Sequence, residues 1–181
     1  AATTTNSIPT SNGGWSTGVD TQPRERGSDK EGFGAGMYMA DEQTIDAFGL
    51  KLVEGRNFRA EEITDSVRES GLLFDSVIVS EALAKRIAPE GSAVGKVIYG
   101  ISDDTTPKTV IGVVERLQMP WTGSDQIEQA ILVPTRNLGE NHSFYVVRAE
   151  PGQRDSVMKE VEAKLQAANP GRIIRGMRTV E

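Results

Sequence analysis

Val77-Ile78-Val79-Ser80-Glu81-Ala82-Leu83-Ala84-Lys85-Arg86-Ile87 is the stretch on which the reading of this chain turns. Its β-branched opening favours a strand, because branched side chains fit a pleated surface and lose χ1 freedom in a helix. Ser80 then supplies a side chain suited to accept a hydrogen bond from an orphan amide, and good helix formers follow it. Glu81 in the first turn and Lys85 and Arg86 in the last complement the helix dipole, and Pro89 and Gly91 end the helix. A buried strand therefore passes straight into a short helix.

The same alternation continues on both sides. Downstream, Gly95 to Tyr99 and Thr109 to Val114 read as apolar strands around the polar turn Ser102-Asp103-Asp104-Thr105. Ala130 to Val133 and Ser143 to Val147 add two more. Asp155 to Ala168 reads as an amphipathic helix with Met158, Val161, Leu165 and Ala168 on one face. Asn169-Pro170-Gly171 stops it, and Ile173-Ile174 is expected to open a last strand. Upstream, Leu50 to Glu54 is extended and ends at Gly55-Arg56-Asn57-Phe58. Asp41 is expected to cap a helix that reaches Phe48 and stops at Gly49. Ala35 to Ala40 alternates as a strand, while Thr3 to Ile8 and Trp15 to Val19 permit strands. Pro23 to Lys30 reads as a charged loop, and Glu61 to Gly71 as a helical turn and loop. Strands and helices interspersed with short connections predict an α+β fold.

Composition limits the chemistry. The 181 residues carry a net charge of -6, which disfavours nucleic acid because phosphate binding needs surplus lysine and arginine. With no cysteine there are no disulfides, thiolate metal sites or cysteine nucleophiles. His142 is the single histidine, so a histidine-built metal site or a Ser-His-Asp triad is hard to assemble. No apolar run approaches the roughly 20 residues that span a bilayer. The first residues lack the basic and apolar regions of a signal peptide, and the ends suggest a segment excised from something larger.

Several motifs fail on their own chemistry. Gly91-Ser92-Ala93-Val94-Gly95-Lys96 has the glycines of a phosphate loop, but its spacing is one short, Val97 replaces the magnesium-binding hydroxyl and a strand follows. Gly32-Phe33-Gly34-Ala35-Gly36 leads into a strand, so a flexible approach to it is preferred over a dinucleotide loop. Asp103-Asp104 lacks the partners of a calcium loop. Asn141-His142-Ser143 is a glycosylation sequon of a kind that arises by chance, and His142 is read as a surface residue. Trp15, Met119 and Trp121 are left over. Trp121, in a loop bounded by Pro120 and Gly123, is the candidate partner contact; it either anchors a partner or folds back over the core edge. No catalytic, cofactor-binding or metal-ligating residue is identified.

Ile45 to Phe58, Val77 to Arg86, Ala93 to Ile98 and Thr109 to Val114 resemble, in order and spacing, the MacB-like periplasmic core domain of the MacB/FtsX-like ABC transporter permeases. The features are an aromatic residue before Gly49-Leu50, then Gly55-Arg56 and Phe58; a strand running into Glu81-Ala82-Leu83-Ala84; Val94-Gly95-Lys96; and Thr109-Val110-Ile111-Gly112-Val113-Val114. The resemblance implies that residues 1–181 are one extracytoplasmic domain with no enzymatic activity and no cofactor. A porter-like lobe would come from both chain ends, roughly 1–49 with 136–181, around a smaller inserted α+β lobe, roughly 50–135. It further implies an inner-membrane permease with the domain in the periplasm, a second permease copy or paralogue, and a cytoplasmic subunit or domain that hydrolyses ATP. A periplasmic adaptor protein is a further implied partner, and no nucleic acid is. The domain would transmit ATP-driven motion for efflux or extracytoplasmic substrate handling. Two other readings stay open: a periplasmic protein- or peptide-binding module using Trp121, and a hydrolase using a carboxylate pair.

Overall fold

A computed structural model describes residues 1–23, 32–65, 74–101, 105–136, 143–171 and 173–179. In chain order the elements are β1 (Ala2–Thr5), β2 (Trp15–Val19), β3 (Phe33–Ala40), α1 (Thr44–Phe48), β4 (Leu52–Gly55), a 3₁₀ turn (Ala60–Glu62), β5 (Thr64–Asp65) and β6 (Ser76–Ser80). They continue with α2 (Glu81–Ile87), β7 (Val97–Ile98), β8 (Lys108–Val114), β9 (Ala130–Arg136), β10 (Phe144–Val147) and α3 (Arg154–Ala168). The mixed α+β class expected from the sequence is the one observed. The chain divides into two units, Ala1–Val147 and Arg148–Glu181.

In the first unit the main sheet runs β2-β3-β9-β6-β8-β4, with β5 beside β9 and β7 beside β8. Strands from before residue 50, β2 and β3, are laddered into the same sheet as β4 to β9. The sheet curls until its ends meet: Asp20 and Tyr99 exchange two backbone hydrogen bonds of 3.0 and 2.9 Å. Thr17 Oγ1 adds a bond of 3.0 Å to the Gly100 carbonyl. The path β2-β3-β9-β6-β8-β7 is thereby almost closed, which protects edges that would otherwise invite other strands.

Curling creates two apolar layers. Val77 and Val79 of β6 enter the inner cluster with Val19, Met37, Met39, Val110, Ile131, Val133 and Ile98, and α2 adds Leu83 and Ile87. Ile78 points to the opposite face, with Tyr38, Leu132, Val114, Phe58 and Ile45. Both faces of the central strands are buried, which is why these strands are continuously apolar and do not alternate with polar residues. Ser80 caps α2 as expected, accepting from Leu83 N at 3.4 Å. Its hydroxyl also donates to the Glu128 carbonyl (2.7 Å) and accepts from Ala130 N (3.0 Å), so one side chain joins strand, helix and β9.

Three expectations need correcting. α1 starts at Thr44 behind Gln43, not behind Asp41. Asp41 and Thr44 satisfy each other across a turn instead: Asp41 N donates to Thr44 Oγ1 at 2.8 Å, and Thr44 N to the Asp41 carbonyl at 3.2 Å. Phe33 and Gly34 lie inside β3, paired with β2, not in a flexible approach to it, so the strand starts two residues before the expected Ala35. Residues 173–179 form no strand; the second unit holds no other strand among its described residues, so their backbone finds no ladder. The expected Arg24 to Lys30 loop and the Ser102 to Asp104 turn lie outside the described residues.

The second unit is built on α3. No α3 residue is buried, and Val157, Met158, Val161 and Leu165 form a half-buried stripe at helical spacing. Ser156 Oγ donates back to the Gln153 carbonyl at 2.8 Å, and Gly171 N donates to Asn169 Oδ1 at 3.0 Å beyond the helix end.

Candidate functional site

The segments that looked most like chemistry are each consumed by packing. Gly55 has φ +71°, and a Cβ there would lie 2.1 Å from the Ile111 carbonyl oxygen. Gly112, paired with Gly55, would place a Cβ 2.5 Å from the Arg56 carbonyl oxygen. Two glycines thus let β4 and β8 approach as closely as their backbones allow. Next to them Arg56 clamps Glu62 with two hydrogen bonds of 2.7 Å. Glu62 Oε2 also accepts from Arg59 N at 2.8 Å. The Arg56 hydrogen bond, helped by the one from Arg59, holds the Glu62 carboxyl down at about 2. A carboxylate kept ionised in this way is an ion-pair partner, not a proton donor. Asn57 Nδ2 reaches the Glu42 carbonyl at 2.9 Å, and Phe58 is buried in the outer layer.

The glycine-lysine turn is equally structural. Gly95 N donates to the Val110 carbonyl (2.8 Å), and Val110 N donates to the Lys96 carbonyl (2.9 Å). The Gly95 amide and the Lys96 carbonyl are thus committed to β8, and a strand follows in place of the helix that a phosphate loop opens. Among the described residues no group of three or more His, Cys, Asp or Glu side chains could hold a metal ion. His142, the sequon at Asn141 and the Asp103-Asp104 pair lie outside the described residues. A concave surface of about 410 Å³ in the second unit is lined by Met158, Ile174 and Met177 together with Asp155, Lys159 and Glu162.

Trp121 is half-buried, on a loop pinned from behind. Thr10 N donates to the Met119 carbonyl (3.2 Å) and Asn12 N to the Pro120 carbonyl (2.9 Å). Met119 is buried, so it belongs to the core. Gly14 passes so close to Pro120 that a Cβ would lie 2.5 Å from its ring. Trp15 follows at once and is 49% exposed. The two loops hold these positions at one end of the curled sheet.

Sequence reasoning missed two buried polar features. Lys108, only 3% exposed, donates to the Phe74 carbonyl, with its ammonium 4.8 Å from the Phe74 ring centroid. Thr3, Asp41 and Thr44 form a buried hydrogen-bonded cluster, and buried Asn6 separately bonds the β3 backbone at Met37 and Met39. The one trace of the latter in the sequence is that β1 puts threonines on its inward positions, which polar alternation alone does not distinguish from a solvated strand.

A scaffold whose described glycine, serine-cap and Gly-Arg motifs serve close backbone approach, capping and an ion-pair turn agrees with the relatives of the chain. The family model of the MacB-like periplasmic core domain matches residues 7–164, and the chain belongs to this family of ABC permease periplasmic domains. Among solved structures it is similar to the periplasmic region of MacB from Actinobacillus actinomycetemcomitans. Identity is 20% and TM-score 0.54, over 91% of this chain and 66% of that one. It is also similar to a domain of a protein named as a permease from Porphyromonas gingivalis, at 22% and 0.51, over 93% and 69%. A third is the extracellular domain of the noncanonic ABC-type transporter YknZ from Gram-positive bacteria, at 17% and 0.55, over 94% and 77%. At these identities the likeness is one of fold. The chain spans just under two thirds of the MacB structure's length. No curated protein matches it in sequence. Among the described residues no helix is long and apolar enough to cross a membrane.

Proposed function

We propose that this domain transmits ATP-driven conformational change in an inner-membrane ABC permease, serving efflux or the handling of a substrate outside the cytoplasm. The observation that carries the reading is the family match over residues 7–164 joined to motifs whose every interaction is architectural. In this reading ATP is hydrolysed by a separate cytoplasmic domain or subunit, the permease acts with a second copy or paralogue, and a periplasmic adaptor is a further partner. The chain's role is mechanical and requires no cofactor.

The division into a porter-like lobe from both chain ends and an inserted lobe belongs to the same proposal. Pairing of β1 with β10 in a sheet of its own supports a lobe built from distant parts of the chain. The ladders of β2 and β3 with the main sheet favour an amino-terminal boundary for that lobe earlier than the expected residue 49. α3 and the residues after it are the parts assigned to follow the membrane helices.

Cross-linking the periplasmic domains of the paired full-length permease, together with its ATP-binding subunit, tests the proposal. ATPase cycling is expected to stall, and undiminished cycling overturns it. A second reading, a protein- or peptide-binding module, is favoured by the exposed Trp15 at the start of β2 and the half-buried Trp121 on its loop. It predicts that a partner captured by the wild-type domain is lost with Trp121→Ala; retention removes Trp121 from that role.

A further inference from the structure

Among the described residues the two sheets of the first unit share no ladder, so side chains must join them. The β1–β10 pair turns Thr3, Thr5, Phe144 and Val146 to one face and Ala2, Thr4, Tyr145 and Val147 to the other. The second face is outward: Tyr145 and Val147 are exposed. The first face is inward, with Thr3 and Thr5 buried, and half of its positions are hydroxyls instead of hydrocarbon. Phe144 and Val146 are the hydrocarbon half of that face, and directed polar contacts carry the rest of its placement.

Those contacts converge on the end of β3. Asn6, just after β1, donates from Nδ2 to the Met37 carbonyl (3.2 Å) and accepts at Oδ1 from Met39 N (2.7 Å). Gly36 N faces β9, bonding the Gln129 carbonyl, so Met37 and Met39 address the opposite side. The register of β2 with β3 ends at Trp15 and Met37, and the Asn6 amide takes the ladder positions beyond it. One residue past β3, Asp41 Oδ1 accepts from Thr3 Oγ1 (2.8 Å), Thr44 Oγ1 (3.1 Å) and Gln43 N (3.0 Å). Thr3 Oγ1 and Thr44 Oγ1 are themselves 2.7 Å apart. All four side chains are buried.

We infer that Thr3, Asn6, Asp41 and Thr44 form the mechanical joint of the domain, fixing the β1–β10 sheet to the main sheet and α1. A hydrocarbon seam would hold the two sheets without regard to angle. A hydroxyl-carboxylate-amide joint holds one angle, and leaving it strands buried polar groups, so the two sheets move together until the joint breaks as a unit. These are positioning residues. The joint stands on its own geometry; its use in passing motion to the main sheet rests on the transporter reading above.

Amide exchange in the 181-residue chain tests the joint. Asn6→Ala and Thr3→Val are expected to speed exchange at residues 2–5 and 144–147 about tenfold, while 77–80, 110–114 and 131–134 stay within about twofold. Equal acceleration in both sheets, or none in either, overturns the joint. Thr3→Val nearly preserves shape, so it carries the comparison alone should Asn6→Ala fail to fold. A second arm uses the absence of cysteine from this chain. Thr3→Cys with Thr44→Cys places two thiols where hydroxyls now touch, in the full-length permease with its ATP-binding subunit. Because the joint already couples the two sheets, locking the pair by oxidation is expected to leave ATPase turnover within about twofold, whereas Thr3→Val in the same full-length permease, which loosens the joint, is expected to lower turnover about fivefold or more. Local loosening in the first arm with unchanged turnover of Thr3→Val keeps the joint and removes its role in transmission.

Discussion

The main sheet and the helix α3 are built by opposite rules. Every central strand of the sheet is buried on both faces, and Ser80, Gly55 and Gly112 are fixed by contacts far away in sequence. α3 buries none of its residues, and the ion pairs Lys164–Glu160 and Arg154–Asp155 on it are local. The sheet's identity is therefore written in tertiary contacts, while the helix's is written in periodicity. A substitution that is costly in the first region should be cheap in the second, and the contrast can be attacked at several positions.

The largest effect is expected at Gly55. Gly55→Ala combines a left-handed backbone with a methyl 2.1 Å from the Ile111 carbonyl oxygen. A severe loss of about 4 kcal/mol or more is expected, seen as absence of a cooperative unfolding transition. Gly91 has φ +89° but nothing within 4 Å of its Cβ position, so Gly91→Ala isolates the backbone term and should cost about 1 kcal/mol. Similar losses at the two sites by chemical denaturation would show that close approach of β4 and β8 is not what demands glycine.

Leu83 and Leu165 set sheet against helix directly. Leu83, fully buried under the inner face, should lose about 2–5 kcal/mol on truncation to alanine. Leu165 is half-buried on α3, so Leu165→Ala should cost about 1 kcal/mol or less. Denaturation midpoints decide it, and a Leu165 cost equal to that of Leu83 would erase the distinction.

The same contrast explains what could be read from sequence. The strand over Val77 to Val79, the Ser80 cap, the α2 limits and the glycine stop after Phe48 are local signals, and all four are present in the structure. Gly55 and Gly112 could be suspected of close packing, but the partner that requires it, each strand's backbone against the other, is remote in sequence. The same holds for the buried cluster around Asp41, whose members are up to 41 residues apart. The Ile173-Ile174 strand failed because β-branched residues permit a strand without supplying the neighbour that stabilises one. Trp121 was visible as an odd residue, yet its half-burial follows from a loop pinned by Thr10 and Asn12, far from it in the chain.

Acid should distinguish the regions next. Glu62 is held down at about 2 by Arg56, below its ordinary value of 4.5. A depressed carboxyl contributes stability that is complete above its unfolded value and disappears as pH falls through the folded one. Stability should therefore decline between about pH 4.5 and 2, and Glu62→Gln should flatten that part of the profile, read from thermal midpoints. A profile unchanged by the substitution would place the acid sensitivity elsewhere in the domain.

The smallest effect belongs to α3. Lys164 lowers the Glu160 carboxyl by a hydrogen bond of 2.8 Å, so the direction of the shift matches that at Glu62. The surroundings differ: Glu62, in the 3₁₀ turn, is fixed by three hydrogen bonds from Arg56 and Arg59, whereas Glu160 and Lys164 are both solvated and free to exchange one another for water. Glu160→Gln is accordingly expected to leave the unfolding midpoint unchanged, and any small helicity change should vanish in high salt. A salt-resistant shift at Glu160 comparable to that of Glu62→Gln would mean that α3 is held by more than its own periodicity, and the rule that separates helix from sheet would fail at its weakest point.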